Sequence, residues 1–378
     1  MKAAAYEAWI DEAWEKAVAK IGLMSQAIGS GFPHVSKDGK YDGTEPQAWT
    51  SGFWPGLLWL AYRDTKNEAF RQLAEACEAQ MDVCIDEYTR LHHDVGFMWS
   101  LSSVANYKLT GSAESKLRAL KVAAWLASRF NLKGGYIRAW NNNNWKADGG
   151  NAGWAIIDCM MNLSLLFWAS AEIGDPRFKH IAAEHANTVL REFFREDGSC
   201  CHIAAFDPET GQRVGTLGGQ GYAPESAWAR GTAWALYGLA LCYHYTKDDA
   251  YLQGSKRSAH FFLANLPEDL VPYWDFRLPT LEGAPRDSSA AAIAASGLLL
   301  LAESVPAEQS RLYASAAKRI LKSLADHYAV WDQQDEAILL HGTGHYPAGK
   351  NIDVGLIYGD YFFVEALAKL RGQRDMFW

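Results

Sequence analysis

Six cysteines in 378 residues, at 77, 84, 159, 200, 201 and 242, form no C-x-x-C pair, and the adjacent two cannot readily bridge each other. Neither a disulfide framework nor a cysteine-built zinc site is expected. Long apolar runs are missing too. The longest, Ala290 to Ala302, is interrupted by Ser296 and Gly297 and is too short to span a bilayer. There is no block of one charge: 44 acids against 36 bases leave a formal charge of −8 without an Arg/Lys stripe. That argues against nucleic acid or an anionic membrane as partner. Met1 to Ile10 lacks an apolar core of signal-peptide length, and Asp11, Glu12 and Glu15 follow at once. A cytoplasmic protein is expected, or a periplasmic one if a leader has been removed. What the chain does have is aromatic surface. Its 16 Trp, 17 Tyr and 16 Phe include far more tryptophan than usual, which beyond core filling suits stacking on sugar rings.

Near-continuous apolar segments recur at about Phe53 to Thr65, Asp94 to Thr110, Trp154 to Ile173, Arg230 to Thr246, Ser288 to Ser304 and Gly359 to Leu370. Helices apolar all round are buried. Each of the first five is followed by a polar turn and an amphipathic helix, over Asn67 to Tyr88, Ser112 to Phe130, Pro176 to Phe193, Asp248 to Asn265 and Ala307 to His327. Gly174, Asp175 and Pro176 supply a helix stop, an N-cap and a first helical residue in the expected order. A helix near Tyr6 to Ile28 covers the last inner one. The class is therefore all-α, a single domain over residues 1–378 built as an (α/α)6 barrel of six inner and six outer helices. The long connections, 29–52, 131–153, 196–229, 266–287 and 328–358, all lead from an outer helix to the next inner one. They gather at one end, beside the inner helices' N-termini, where function is expected. Gly134 to Arg138 is expected to add a short strand there.

Asp158 lies in the apolar stretch Ala155-Ile156-Ile157-Asp158-Cys159-Met160-Met161, about one turn into a buried helix on this reading. Desolvation favours the protonated form of a carboxyl group, so a residue in such a place suits general acid–base work. The alternative is an Asp that caps a helix or pairs with a buried Arg. His92-His93-Asp94 opens the second inner helix, either as reactive groups or as an N-cap with two solvated histidines. A metal set of His92, His93 and His202 has no supporting ligand spacing. Trp49, Trp54, Trp140, Trp145, Trp228 and Trp234 lie in the loops or at the first turns of inner helices, as sugar platforms or as core. Arg230 is placed to meet a substrate carboxylate or to neutralise a buried Asp. Asp287 and Asp360 pass the same positional test as Asp158, and position alone does not choose among them.

Several segments together resemble the unsaturated glucuronyl hydrolases of glycoside hydrolase family 88. They are Phe32-Pro33-His34-Val35, Trp49-Thr50-Ser51-Gly52-Phe53-Trp54, His92-His93-Asp94-Val95-Gly96-Phe97, Ile156-Ile157-Asp158-Cys159, Trp228-Ala229-Arg230-Gly231-Thr232-Ala233-Trp234, Tyr273-Trp274-Asp275-Phe276, Arg286-Asp287-Ser288-Ser289-Ala290 and Gly359-Asp360-Tyr361. They occur in the family's order across nearly the whole chain. The resemblance implies the same barrel, no metal or organic cofactor, and hydrolysis of unsaturated uronate-containing di- and oligosaccharides left by polysaccharide lyases. It implies Asp158 as general acid/base and Asp94 as the second carboxylate. By the same resemblance Trp49, His93, Trp140, His202, Gln220, Trp228, Arg230 and Trp234 bind substrate, and Lys350 meets a sulfate on the second sugar or is a solvated loop lysine. Ser51, where relatives carry Asp, and Thr232, where Gln is common, bear on substrate preference.

Four other readings compete. An unsaturated rhamnogalacturonyl hydrolase would use the same chemistry on pectin fragments. An inverting glycosidase would need two carboxylates roughly 6.5–9.5 Å apart around an anomeric carbon. An epimerase would exchange protons through His93 and His202. A carbohydrate-binding protein without turnover would have little reason to bury Asp158.

Overall fold

The computed structural model describes residues 7–86, 90–141 and 150–378. Helix α1 (Ala8–Ile28) precedes a first hairpin of α2 (Phe53–Thr65) and α3 (Glu68–Gln80), followed by a short α4 (Asp82–Asp86). The second hairpin starts with α5 (Val95–Trp99), passes through a π-helical stretch (Ser100–Val104) into α6 (Ala105–Thr110), and returns along α7 (Ala113–Ser128). Then come α8 (Cys159–Ile173) with α9 (Pro176–Glu192), α10 (Ala229–Thr246) with α11 (Asp249–Ala264), α12 (Ser288–Ser304) with α13 (Ala307–His327), and finally α14 (Ile357–Leu370).

The reasons are local. The side chains of Asn67, Ser112, Asp175 and Asp248 each accept a hydrogen bond from a backbone N–H in the first turn of the outer helix that follows. These helices bury one stripe and wet the other, whereas α8, α10, α12 and α14 are buried over most of their length. The buried helices touch one another in chain order, α2 to the α5–α6 segment, then α8, α10, α12 and α14, and α14 returns to α2. Each amphipathic helix packs outside its partner, and α1 covers α14. At the centre Phe97 stands 5.0 Å from Trp234 and 5.5 Å from Phe53, while Phe362 stacks on Trp378 at 5.7 Å between ring centroids. No helix among the described residues is long and apolar enough to cross a membrane, and all six cysteines are buried and unbridged.

The strands occupy the long connections. β1 (Pro33–Lys37) and β2 (Lys40–Gly43) join β9 (Lys350–Leu356) and β8 (Gly342–His345) in the order β2-β1-β9-β8, tying the first long loop to the last. β3 (Phe130–Asn131) pairs with β4 (Tyr136–Ile137), the short strand expected from Gly134 to Arg138. The third inner helix corrects the sequence reading: residues 154–156 are not helical but form β5 (Trp154–Ile156), which pairs antiparallel with β6 (Ile203–Phe206), itself paired with β7 (Arg213–Leu217). A short apolar run with two isoleucines fits a strand as well as a buried helix, and the partner strand decides. Asp158 consequently sits at the N-cap of α8 rather than one turn inside it.

Candidate active site

The β5–β6 register assembles the first part of the site. Ile156 pairs with Ile203 in antiparallel sense, so Asp158 just after β5 and His202 just before β6 leave the sheet at the same edge. The Ile157 N–H donates to the His202 carbonyl at 3.0 Å and fixes that edge. His202 Nε2 then lies 3.5 Å from Asp158 Oδ2. The Gln220 N–H donates to His202 Nδ1 at 2.9 Å, which leaves the neutral ring's proton on Nε2, facing Asp158. A 3.3 Å contact from the same Nδ1 to the Gly218 carbonyl asks for the other tautomer, and the shorter bond decides. Trp228 closes one side of the imidazole, 4.5 Å between centroids. The Gly218-Gly219-Gln220 turn fits so closely that a Cβ on Gly219, whose φ is +58°, would lie 2.1 Å from His202 Nδ1.

Asp94 forms the second part, at the N-cap of α5. Its Oδ2 is 3.1 Å from His92 Nδ1 and its Oδ1 is 3.4 Å from His93 Nε2. Burial opposes its charge, but His93, His92 and the Asn162 amide together hold its carboxyl below the ordinary carboxylate value. Burial drives the His93 imidazole down to about 4, with Asp94 opposing, so the ring is neutral near pH 7. The histidines weighed as a metal set are thus divided, His92 and His93 beside Asp94 and His202 beside Asp158.

Four carboxylates stand at or near the starts of buried helices, and their partners separate them. Asp287 is enclosed: Oδ2 takes Arg230 Nη1 at 2.6 Å, and Oδ1 takes the N–H and hydroxyl of Ser289. Asp360 accepts from the N–H groups of Ile338 and Leu339 and from the Tyr41 hydroxyl. Asp94 has Oδ2 against His92 Nδ1 and Oδ1 accepting from Asn162 Nδ2 at 3.2 Å. Asp158 alone keeps a buried oxygen, Oδ2, with no hydrogen-bond partner among the described residues. Its side chain is 16% exposed, so it faces an opening rather than the sealed apolar setting read from the sequence. His93 Nδ1 and Nε2, His202 Nε2 and Trp234 Nε1 are also buried without hydrogen-bond partners. Buried polar atoms are rarely left so, and a cluster of them beside one free carboxylate is the mark of a site awaiting a polar ligand.

The remaining expected residues differ in burial. Trp49, half-buried, packs on Tyr358 at 4.9 Å and Phe97 at 5.5 Å, and Trp140, half-buried, meets Trp154 edge-on at 6.2 Å. Trp234 and Trp54 are wholly buried, and Trp54 donates to the Gly29 carbonyl. Arg230 is buried and saturated, bonding Asp287, the Thr343 and Gly344 carbonyls and Gln220 Oε1 at 3.0 Å, with Trp228 and Tyr358 against its guanidinium. That is the buried-pair alternative, and it presents Gln220 to the cleft. Lys350 is exposed at the start of β9. Trp145 lies outside the described residues. Asn162 and Tyr358 went unnoticed in the sequence, although Asn162 is a lone amide in an apolar run one turn after Asp158.

The chain is similar to known proteins over nearly its full length. A family model described as Glycosyl Hydrolase Family 88 matches residues 24–366. An unsaturated chondroitin disaccharide hydrolase from Streptococcus pyogenes serotype M1 is 37% identical over 98% of this chain and 93% of its own. The crystal structure of an unsaturated glucuronyl hydrolase from Bacillus sp. GL1, responsible for the degradation of glycosaminoglycan, superposes with a TM-score of 0.92 at 37% identity, covering 96% of this chain and 97% of that one. An unsaturated glucuronyl hydrolase specific for heparin superposes at 0.89 with 33% identity, over 97% and 98% of the two chains.

Proposed function

Because this chain belongs to glycosyl hydrolase family 88, we propose that it is an unsaturated glucuronyl hydrolase. Its substrates are lyase-generated glycosaminoglycan di- and oligosaccharides, from whose non-reducing end it releases the Δ4,5-unsaturated glucuronic acid. The observation that carries the mechanism is the unpartnered Oδ2 of Asp158 facing His202 Nε2. Protonated Asp158 gives its proton to C4 of the enol ether, and positive charge develops over C5 and the ring oxygen. Water adds at C5 and returns a proton to the Asp158 carboxylate, and the hemiketal opens to expel the next sugar. Ionised Asp94 and neutral His93 hold the uronate hydroxyls. His202 and Gln220 stand beside the uronate and the water, with Arg230 fixing Gln220 from behind. Trp49, Trp140 and Trp228 wall the cleft, Trp234 is buried behind Phe97 rather than in the wall, and Lys350 meets the second sugar. The circuit of buried helices, closed from α14 to α2, supports an (α/α)6 barrel of one domain over the whole chain. The six unbridged thiols favour the cytoplasm as its compartment.

The test is loss of the substrate's ultraviolet absorbance on unsaturated disaccharides from hyaluronan, chondroitin sulfates, heparin and rhamnogalacturonan. Wild type is expected to remove it and Asp158→Asn to lower kcat by about 10³-fold or more. Bleaching confined to the rhamnogalacturonan product would move the assignment to pectin fragments. Full activity in the Asn variant would remove Asp158 from its role.

A further inference from the structure

We propose that Asn162 is a positioning residue, which braces Asp94 against Asp158 by relieving the Asp94 carboxylate of helix capping; the inference rests on the function proposed above. An aspartate at an N-cap ordinarily accepts a hydrogen bond from the second or third N–H of its helix. Asp94 occupies that position on α5, yet its side chain makes no capping bond. The Phe97 N–H, third in the helix, is taken instead by Asn162 Oδ1 at 2.8 Å, reaching across from α8. The same amide donates from Nδ2 to Asp94 Oδ1 at 3.2 Å and to the Asp158 main-chain carbonyl at 3.1 Å. One fully buried side chain therefore touches the helix start, the Asp94 carboxylate and the Asp158 backbone.

The close approach is built into the backbone. A Cβ on Gly96 would lie 2.5 Å from Asn162 Cα and 2.7 Å from its Oδ1, so glycine there admits the amide. Relieved of capping, the Asp94 carboxylate turns to His92 and His93. The other titratable groups around it are Asp158 and Cys159 at the start of α8, with Arg129 beyond α7 and His185 on α9 acting through His93. Among these contacts the Asn162 amide is a neutral donor, which helps Asp94 stay ionised without adding a charge to a site that must take up an anionic sugar.

The experiment compares Asn162→Asp and Asn162→Ser with wild type. Aspartate keeps the acceptor for the Phe97 N–H but sets a like charge against Asp94, and serine is too short to hold all three partners. Two readouts are used: the Asp94 titration, followed by carboxyl-carbon NMR of aspartate-labelled protein and assigned with Asp94→Asn, and the pH profiles of kcat and KM on the unsaturated disaccharides. In Asn162→Asp the Asp94 midpoint is expected to rise by about one pH unit, carrying the acid limb of kcat/KM with it. In both variants kcat falls by about tenfold or more while KM changes by less than about threefold. An unmoved Asp94 midpoint with kcat within about twofold of wild type would overturn the inference, leaving Asn162 a packing residue. If Asn162→Asp does not fold, the serine variant is expected to show the kcat loss without the KM change, and wild-type kcat there would overturn the proposal equally. If wild type bleaches no substrate, the function falls, and the NMR titration still decides whether Asn162 sets the ionisation of Asp94.

Discussion

Gly219 shows how narrowly a single residue can fix the site. Its backbone has φ +58°, and the space a side chain would need is filled by the His202 imidazole. Alanine there meets two penalties, a left-handed backbone costing about 1 kcal/mol and displacement of the ring it cradles. Gly219→Ala is therefore expected to lower kcat/KM by about tenfold or more and to cost more than the about 1 kcal/mol of the backbone alone, read by steady-state kinetics and denaturant unfolding. Turnover like wild type would mean that the position of His202 does not matter. Nothing in the sequence around Gly218-Gly219-Gln220 announces this, because the ring it contacts is supplied by a strand edge earlier in the chain. Asp158 was legible as a carboxylate near the start of a buried helix, but Asp287 and Asp360 meet the same positional test. What separates them is partners from remote segments, Arg230 for Asp287 and the N–H groups of Ile338 and Leu339 for Asp360. The same holds for Arg230, whose two readings, a substrate carboxylate or a buried Asp as partner, are separated by Asp287 and by the Thr343 and Gly344 carbonyls, all remote in sequence.

At the scale of elements, helices were legible wherever a local signal sufficed. The bounds read for α2, α12 and α13 coincide with the structure, and the Gly-Asp-Pro turn before α9 forms as its residues dictate, with Gly174 in the left-handed region and Asp175 Oδ1 accepting the Arg177 N–H at 3.0 Å. What periodicity did not reveal is the strand at 154–156 and the π-helical stretch inside the second inner helix. The strand exists because β6 offers it hydrogen-bond partners some fifty residues later in the chain, and a five-residue change of helical winding leaves the apolar pattern nearly intact. The α8–α9 turn belongs to the end of the ring away from the long loops, which separates stability from catalysis there. Asp175→Ala is expected to cost about 1 kcal/mol in denaturant unfolding and to leave kcat/KM unchanged. A substantial loss of activity would show that the two ends are mechanically coupled.

For the molecule as a whole, stability against pH is set by groups in every layer, and they do not all pull the same way. Burial holds His93, beside the site, down to about 4 and His185, on α9, down to about 3. Both titrate near 6.5 when unfolded. A proton excluded by the fold but welcomed by the unfolded chain weakens folding, so each costs nothing above pH 6.5 and up to about 1.4 kcal/mol per pH unit as the pH falls below it. Burial lowers His34 and His345 in the same direction. Asp360 opposes them: burial raises it to about 7, so the folded state takes up its proton first and gains stability as the pH falls from 7 towards 4. Two wholly buried histidines outweigh one aspartate, and the melting temperature is expected to fall between pH 7 and pH 4.5. The balance can be tested from both sides. His185→Gln keeps an acceptor for the Ile137 N–H, now bonded to Nδ1 at 2.9 Å, and is expected to flatten the acid fall. Asp360→Asn removes the opposing group and is expected to steepen it, from a lower starting stability, since one carbonyl oxygen replaces two acceptors. Scanning calorimetry of the three proteins across that range would decide. Parallel curves would show that neither group carries the pH dependence, whereas slopes displaced in opposite directions would show that the inner wall, the outer helix α9 and the last inner helix unfold as one cooperative body.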